Sequence, residues 1–399
     1  MSSRHRRAIS IGLALLLALA VSVASGCGGD DSSAESVTVE MPTEAMSDAD
    51  AAGVDEAVTK IWEANKTDVP TLYVGVWDPE KGVFTKAYGE SAKGVAATTD
   101  DSFRIGSISK TFTAIVVLQL VADGKLALDD TIEDAAPEVA KKYPTVADRT
   151  IEQLLGMHSG ISDYINPKEG VVKDVVANPD RVWSPDELIA RGIELGVAPA
   201  GEPGGYSTTN YILLQEIAEE ITGSSLADLI KSDVTDRLAM EKTFLPPNDD
   251  TTLPDPALHS AVTPSCQGEF TRSGGEIELG TDLTDWNASY GQGGGGMTST
   301  LGDLGTWAAS GTGDALLPDD LVTQRNDVKL IGDGIYYGLG VLRFGGWHGH
   351  EGEALGWETL AVKDAKSGVT VALAGNSCGI LGQLVSVIQA LYADIPLQD

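Results

Sequence analysis

The sequence predicts a sheet-plus-helix domain of the α+β class carrying a helical insertion. Strand-like runs cluster at both ends of the chain, around 71–88 and again at 336–374. The stretch between them mixes short helical patterns with Pro- and Gly-rich loops. One long apolar helix, Ser107 to Asp123, sits where the first strand region gives way to that middle. Strands at both ends that close around a helical middle bury their apolar faces most simply as one layered domain. The 399 residues are 42% hydrophobic, which supplies a sizeable core and excludes a disordered chain. Asp and Glu number 59 against 27 Lys and Arg, for a formal charge of −32. Nucleic-acid binding needs a basic face, and so does a polybasic grip on anionic lipid; both are excluded as expectations.

At the N-terminus Arg4, Arg6 and Arg7 precede an apolar run from Ile9 to Val23, and Ala24-Ser25-Gly26 lead into Cys27. A basic start, a short apolar stretch and small residues make 1–26 a signal peptide. The apolar run falls short of the roughly 20 residues that span a bilayer. Small residues ending on Cys resemble a bacterial lipobox, although Ala24 stands where Leu is more usual. That resemblance implies acylation of Cys27, export, and a membrane attachment through a lipid anchor only. Residues 27–50 are rich in Ser, Asp, Glu and Ala without apolar periodicity and read as a tether.

An amphipathic helix is expected from Val54, then strands at Thr71–Trp77 and Gly82–Tyr88 joined by a turn at Asp78–Lys81. In the next helix Phe112, Ile115, Val116, Leu118, Leu120 and Val121 are apolar, and Gly124 stops it. The sheet-bearing parts span 51–124 and 291–399, and the helical insertion spans 125–290. After Gly293–Gly296, strands are expected at Tyr336–Phe344, Thr359–Lys363 and Val369–Ala374, with a closing helix near Leu381–Ala393. Beyond Cys27 only Cys266 and Cys378 remain. In an oxidising compartment they either bridge or stay free, and the sequence leaves both open. No Cys/His grouping argues for zinc, and His348-x-His350 lacks an obvious third ligand, so neither metal nor cofactor is expected.

Three places compete for a nucleophile. Gly375-Asn376-Ser377-Cys378-Gly379 fits Gly-x-Ser-x-Gly, but that elbow needs a later histidine and none follows His350. It reads as a structural turn. Gly106-Ser107-Ile108-Ser109-Lys110-Thr111 lacks the glycine spacing of a phosphate loop. The same residues also read Ser107-x-x-Lys110. Three residues apart on a helix they share a face, with backbone N–H groups and the positive dipole end where an oxyanion would form. A lysine held in a buried site can lose its proton near neutrality. Alone the pattern is weak, since Ser107 could be a cap and Lys110 a solvated side chain.

Its company is informative. Phe103-Arg104-Ile105-Gly106-Ser107-Ile108-Ser109-Lys110 resembles the nucleophile segment of the penicillin-recognising serine enzymes, the group holding class C β-lactamases, D-alanyl-D-alanine carboxypeptidases and related esterases. Five more segments match in order: Gly124–Asp130, Leu154–Gly160, Pro199–Glu202 with Tyr206-Ser207-Thr208, Gly295–Thr300 with Asp303-Leu304, and His350-Glu351-Gly352. The likeness covers roughly 55–395.

The resemblance implies an antiparallel β-sheet flanked by helices. It implies Ser107 as acylated nucleophile, with Lys110 and Tyr206 sharing general-base and general-acid duty, the tyrosine lowered in pKa by cations. The backbone N–H groups of Ser107 and Glu353 would form the oxyanion hole. His350 would sit on the strand bordering the cleft beside Gly352, and His158 would shape the core. Two departures stand out. Thr208 occupies the place of the family's Asn in Tyr-x-Asn, and Asn210 is too far along to replace it. Glu351 stands where relatives often carry a small hydroxyl that holds a substrate carboxylate, and it repels such a group if it faces the cleft. The implied activity is a D-alanyl-D-alanine carboxypeptidase on cell-wall peptides. An esterase or weak β-lactamase, or a non-catalytic penicillin- or peptidoglycan-binding lipoprotein, are the other readings. The expected partners are a small-molecule or peptide acyl substrate and peptidoglycan.

Overall fold

The computed structural model describes residues 35–166, 168–201, 204–332 and 334–396. The signal-peptide stretch and Cys27 lie outside these residues. No helix among the described residues is long and apolar enough to cross a membrane.

Eight strands form one fully antiparallel sheet in the order Gly82–Tyr88, Leu72–Asp78, Thr370–Gly375, Trp357–Asp364, Trp347–Ala354, Leu342–Phe344, Tyr336–Tyr337 and Lys329–Leu330. Period-two alternation divides the central strands between two cores. Leu72, Val74, Val76, Leu360, Val362, Val371 and Leu373 face a layer made by the first and last helices, Asp48–Asn65 and Leu381–Leu391. Tyr73, Trp77, Ala361, Ala372 and Ala374 face the opposite core, against the helix Leu301–Ala309. That face is built from small residues because Trp77 lies flat across it. A Cβ on Gly75 would come within 2.5 Å of the indole, and one on Gly305 within 2.3 Å.

The second core is continuous through the insertion. One apolar cluster joins Tyr73, Ile105 and Phe112 to Leu154, Tyr211, Leu213 and Trp307. At its centre the helix Ser109–Ala122 is buried on nearly every side, which explains a composition that is apolar all round. Phe112 stacks on Trp307 with ring centroids 3.8 Å apart, and the indole N–H donates to Thr111 Oγ1 at 2.8 Å. The helix Thr209–Thr222 packs alongside.

Three expectations need correction, and one strand goes beyond the apolar pattern. Residues 35–47, read as tether, lie against the domain: Val37 N donates to Arg237 O at 2.8 Å, Ala45 bridges Val83, and Met46 is buried. Polar composition concealed this because the four apolar side chains that pack on the cores, Val37, Val39, Met41 and Met46, are spaced without a helical or strand pattern among acidic and hydroxyl residues. The first helix begins at Asp48 under a Ser47 cap, earlier than Val54. Tyr336–Phe344 is two short strands split by a turn at 338–341. Trp347–Ala354 is a full strand despite two glycines, because those glycines let backbone and strand approach closely; a Cβ on Gly349 would sit 2.0 Å from Ala361 O.

Cys266 and Cys378 form a disulfide that closes a sequence separation of 112 residues. It ties the helix Pro264–Arg272 to the turn after Thr370–Gly375. In that turn Ser377 Oγ is paired with Thr263 Oγ1 at 2.7 Å and Asn376 with Thr71 N at 2.8 Å, so the Gly-x-Ser-x-Gly serine is structural. Replacing both cysteines by serine is expected to cost about 2–4 kcal/mol, read as a lower denaturation midpoint.

Candidate active site

The site starts with a turn that only glycine fits. The strand Ser102–Arg104 ends at Ile105, and Gly106 then adopts φ +50°. A Cβ there would meet Glu353 N at 2.4 Å, and one on Gly352 would meet Ile105 O at 2.0 Å and Ser107 N at 2.9 Å. Two glycines therefore bring the nucleophile turn and the strand Trp347–Ala354 into direct backbone contact, with the N–H groups of Ser107 and Glu353 on neighbouring edges. Ser109 locks the turn by donating to Gly106 O at 2.7 Å and accepting from Met297 N at 3.1 Å.

One helical turn on, Lys110 Nζ lies 2.9 Å from Ser107 Oγ and donates to Gly294 O at 2.7 Å. The lysine is fully buried, and its amine lies 4.9 Å from the ring centre of Tyr206 and 5.9 Å from that of Tyr211. Burial pushes its pKa down to about 8, against the opposing pull of Asp163 and Glu351. A neutral amine that spends one N–H on Gly294 O has its lone pair free for the Ser107 O–H. The glycine run is what allows this approach: a Cβ on Gly294 would collide with Thr208 Cγ2 at 2.6 Å.

Tyr206 lines the same cleft. Its hydroxyl is buried with no hydrogen-bond partner of ordinary geometry among the described residues. Burial and the Glu351 carboxylate push its pKa well above 10, while the nearby Ser107 hydroxyl opposes them. This corrects the expected lowering. Lys110 faces the ring rather than the oxygen, so Tyr206 is a neutral phenol.

Ser107, Tyr206, Thr208 and Glu353 meet around a cavity of about 370 Å³, with Lys110 buried beneath. His350 and Gly352 are not on its wall. His350 is fully buried, with Nε2 3.1 Å from the Tyr337 hydroxyl and Nδ1 2.5 Å from Glu351 O. Burial, with Lys110 and Arg325 adding to it, pushes its pKa down to about 3, so it offers a substrate no positive charge. His350 does sit on the strand that borders the cleft, but beneath its wall: alternation sends Glu351 and Glu353 into the cavity, and the His350 ring packs behind Tyr206 at 6.3 Å.

Both glutamates do line the cavity, which settles the direction of Glu351. Burial pushes Glu351 up, and Lys110 only partly offsets it. Burial and the adjoining Glu269 carboxyl push Glu353 well above its usual range; as Glu353 remains exposed to the open cleft, the Glu269 contact carries more of the effect. Glu269, Glu353 and Cys378 are the closest metal-type grouping among the described residues, but the Cys378 sulfur is consumed by the disulfide. His348 and His350 belong to no such grouping.

Sequence reasoning missed Asp163, which lines the cleft beside Thr208. Its Oδ1 accepts from Thr208 N at 3.2 Å and Ile165 N at 3.1 Å. Burial pushes the carboxyl up, and the Ile165 N–H and then Lys110 oppose the rise. It lies just past the matched Leu154–Gly160 segment, and one acid among 59 carries no signal of its own. Asn210 cannot stand in for the family's Asn: its Oδ1 accepts from Ser159 Oγ at 2.6 Å inside the core. His158 is likewise away from the cleft, with Nδ1 3.3 Å from Gly201 O.

With this geometry in hand, the comparison with known proteins is specific. Residues 54–379 match the family model described as Beta-lactamase. The chain belongs to the Beta-lactamase family. Members of this family are serine hydrolases. Penicillin-binding protein 4 of Amycolatopsis lactamdurans is 32% identical over 179 residues, 44% of this chain and 43% of that protein. Protein flp of Staphylococcus aureus strain MW2 is 29% identical over 184 residues, 45% of this chain and 36% of that protein. These alignments thus span less than half of the relatives' own length. Among solved structures, a D-stereospecific amidohydrolase from Streptomyces sp. superposes with TM-score 0.73 at 25% identity, covering 85% of this chain and 98% of the other. D-amino acid amidase from Ochrobactrum anthropi SV3, complexed with D-phenylalanine, gives TM-score 0.72 at 22% identity over 86% and 99% of the two chains, a likeness of fold.

The lysine sets a pH dependence. Phosphonylation of Ser107 by an uncharged fluorophosphonate needs Lys110 unprotonated. Its rate, followed by mass spectrometry, should rise about tenfold per pH unit below about 8 and level off above it. Lys110→Met should remove both the step and most of the rate.

Proposed function

We propose that the protein is a serine hydrolase working through a Ser107 acyl-enzyme. The observation that carries this reading is the 2.9 Å contact between Ser107 Oγ and a fully buried Lys110 amine whose pKa is pushed down to about 8. Lys110 takes the Ser107 proton as the oxygen attacks the substrate carbonyl. The backbone N–H groups of Ser107 and Glu353 receive the oxyanion. Tyr206, a neutral phenol with an unused hydroxyl beside Ser107, passes a proton to the leaving amine or alkoxide and takes one back from the attacking water, while the Lys110 ammonium keeps the Ser107 proton for its return. Water then cleaves the ester by the reverse sequence, and Ser107 is regenerated.

The substrate reading follows from charge. Glu351 faces the cleft, with Asp163, Glu353 and Glu269 on the surrounding walls. A carboxylate beside Glu351 would be repelled, whereas a neutral or ammonium-bearing group would be accepted. This favours amides, esters or peptides of D-amino acids with a free amine, in keeping with the amidohydrolase and amidase neighbours. The D-alanyl-D-alanine carboxypeptidase reading retains one observation in its favour: Arg272 lies at the cavity wall, largely exposed, although it is paired with Glu269 at 3.3 Å. The signal-peptide and lipobox-like start supports an exported protein anchored through Cys27 and facing peptidoglycan.

Incubation with a fluorophosphonate or labelled penicillin should add one covalent mass at Ser107, lost in Ser107→Ala. No adduct with either reagent would sink the enzyme reading. Release of ammonia from D-amino acid amides should exceed release of D-alanine from an N-acylated D-Ala-D-Ala peptide. Glu351→Gln should narrow that ratio by tenfold or more. The opposite order of substrates would establish the carboxypeptidase reading instead.

A further inference from the structure

A second cavity, of about 530 Å³, shares no lining residue with the catalytic cleft. The ring pair Tyr206–Tyr337, in edge contact at 6.1 Å, stands between them, with Tyr206 on the cleft and Tyr337 on the second cavity. Leu128, Leu339 and Tyr337 give it apolar wall. Asp129, Glu152 and Asp327 place three carboxylates around it against a single Lys329, which is paired with Glu152 at 3.4 Å. Asp129 and Asp327 have no ion-pair partner among the described residues.

An independent feature points to a ligand. His158 lines this cavity, is only 8% exposed, and its Nε2 has no hydrogen-bond partner among the described residues. Its Nδ1 faces the Gly201 carbonyl at 3.3 Å. A carbonyl only accepts, so the neutral ring carries its proton on Nδ1 and Nε2 is left as a buried acceptor awaiting a donor. Leaving such an atom unpaired forfeits its hydration with no hydrogen bond in exchange. The Asp129, Glu152 and Asp327 carboxylates belong to no tight metal-type grouping among the described residues, so a single metal ion does not fit. Separated acceptors along a partly apolar wall fit a longer molecule with several N–H donors.

We propose that this cavity binds an extended organic cation, amine groups carried on an apolar chain, at a site distinct from the acyl-transfer cleft. Tyr337 joins the two: its hydroxyl lies 3.1 Å from His350 Nε2 and 3.3 Å from the Tyr211 hydroxyl, and Tyr211 is one of the two rings over which Lys110 sits.

Equilibrium dialysis of the purified protein against radiolabelled spermidine tests this without reference to catalysis. The expected result is one saturable site per chain, weakened tenfold or more in Asp129→Asn/Asp327→Asn and in His158→Gln. Ser107→Ala and Glu351→Gln should bind as the parent does, so a failed hydrolase reading leaves this result intact. Because His158 is buried, the exposed double aspartate variant decides the matter if His158→Gln does not fold. Absence of saturable binding, or binding that survives the double aspartate change, would overturn the site. Loss of binding in Glu351→Gln alone would place the cation in the catalytic cleft and overturn it equally.

Discussion

Everything at this site depends on keeping one amine out of water. Lys110 is buried beneath Ser107, and the cost of holding it charged there is what brings its pKa within reach of neutrality. The fold spends its best-packed elements on that burial. The nucleophile helix is enclosed by the Thr209–Thr222 helix, the Phe112–Trp307 stack and the glycine run that presents the Gly294 carbonyl. Asp163 and Glu351 act against the effect from two sides. They leave the amine poised instead of wholly neutral, which suits a group that must accept a proton and return it.

The acidity noticed first in composition takes on a local meaning at the cleft. Most acids among the described residues are exposed, but Asp163, Glu269, Glu351 and Glu353 converge on the nucleophile. They work together: burial and then Glu351 raise Tyr206 and hold it as a proton donor, while burial and the adjoining Glu269 raise Glu353. A family identity alone would suggest a carboxylate-binding cleft. The charges around Ser107 set this cleft apart, through Glu351, a departure inside a shared motif, and through Asp163, Glu269 and Glu353 outside the motifs.

How much of this was legible in the sequence divides along physical lines. The strands at 72–78, 82–88 and 370–375 and the helix at 109–122 carry strong apolar patterns and stood out. Ser107 and Lys110 could be paired because helical spacing is local. The direction of Glu351 could not be read, since two glycines weaken the alternation of its strand. His350 lies on the expected strand, but its burial against Tyr337 could not be read, because neither that neighbour nor the depth is encoded nearby. Tyr206 was expected to be lowered because Lys110 is close in space; only its geometry reveals that the amine meets the ring face. Asp163 and the packing of 35–47 were invisible, being decided by contacts far away along the chain.

The disulfide gives the cleft an uneven construction. Glu269, Phe270 and Arg272 ride on a short helix that is stitched to the sheet at Cys266, with its own small apolar cluster beneath it. Ser107, Lys110 and Tyr206 are mounted instead on the main core. The selecting wall and the reacting groups are therefore separate parts with separate foundations. Substitutions on the stitched helix can retune which molecule is admitted while the proton-transfer geometry stays as it is, so a family with one chemistry acquires many diets.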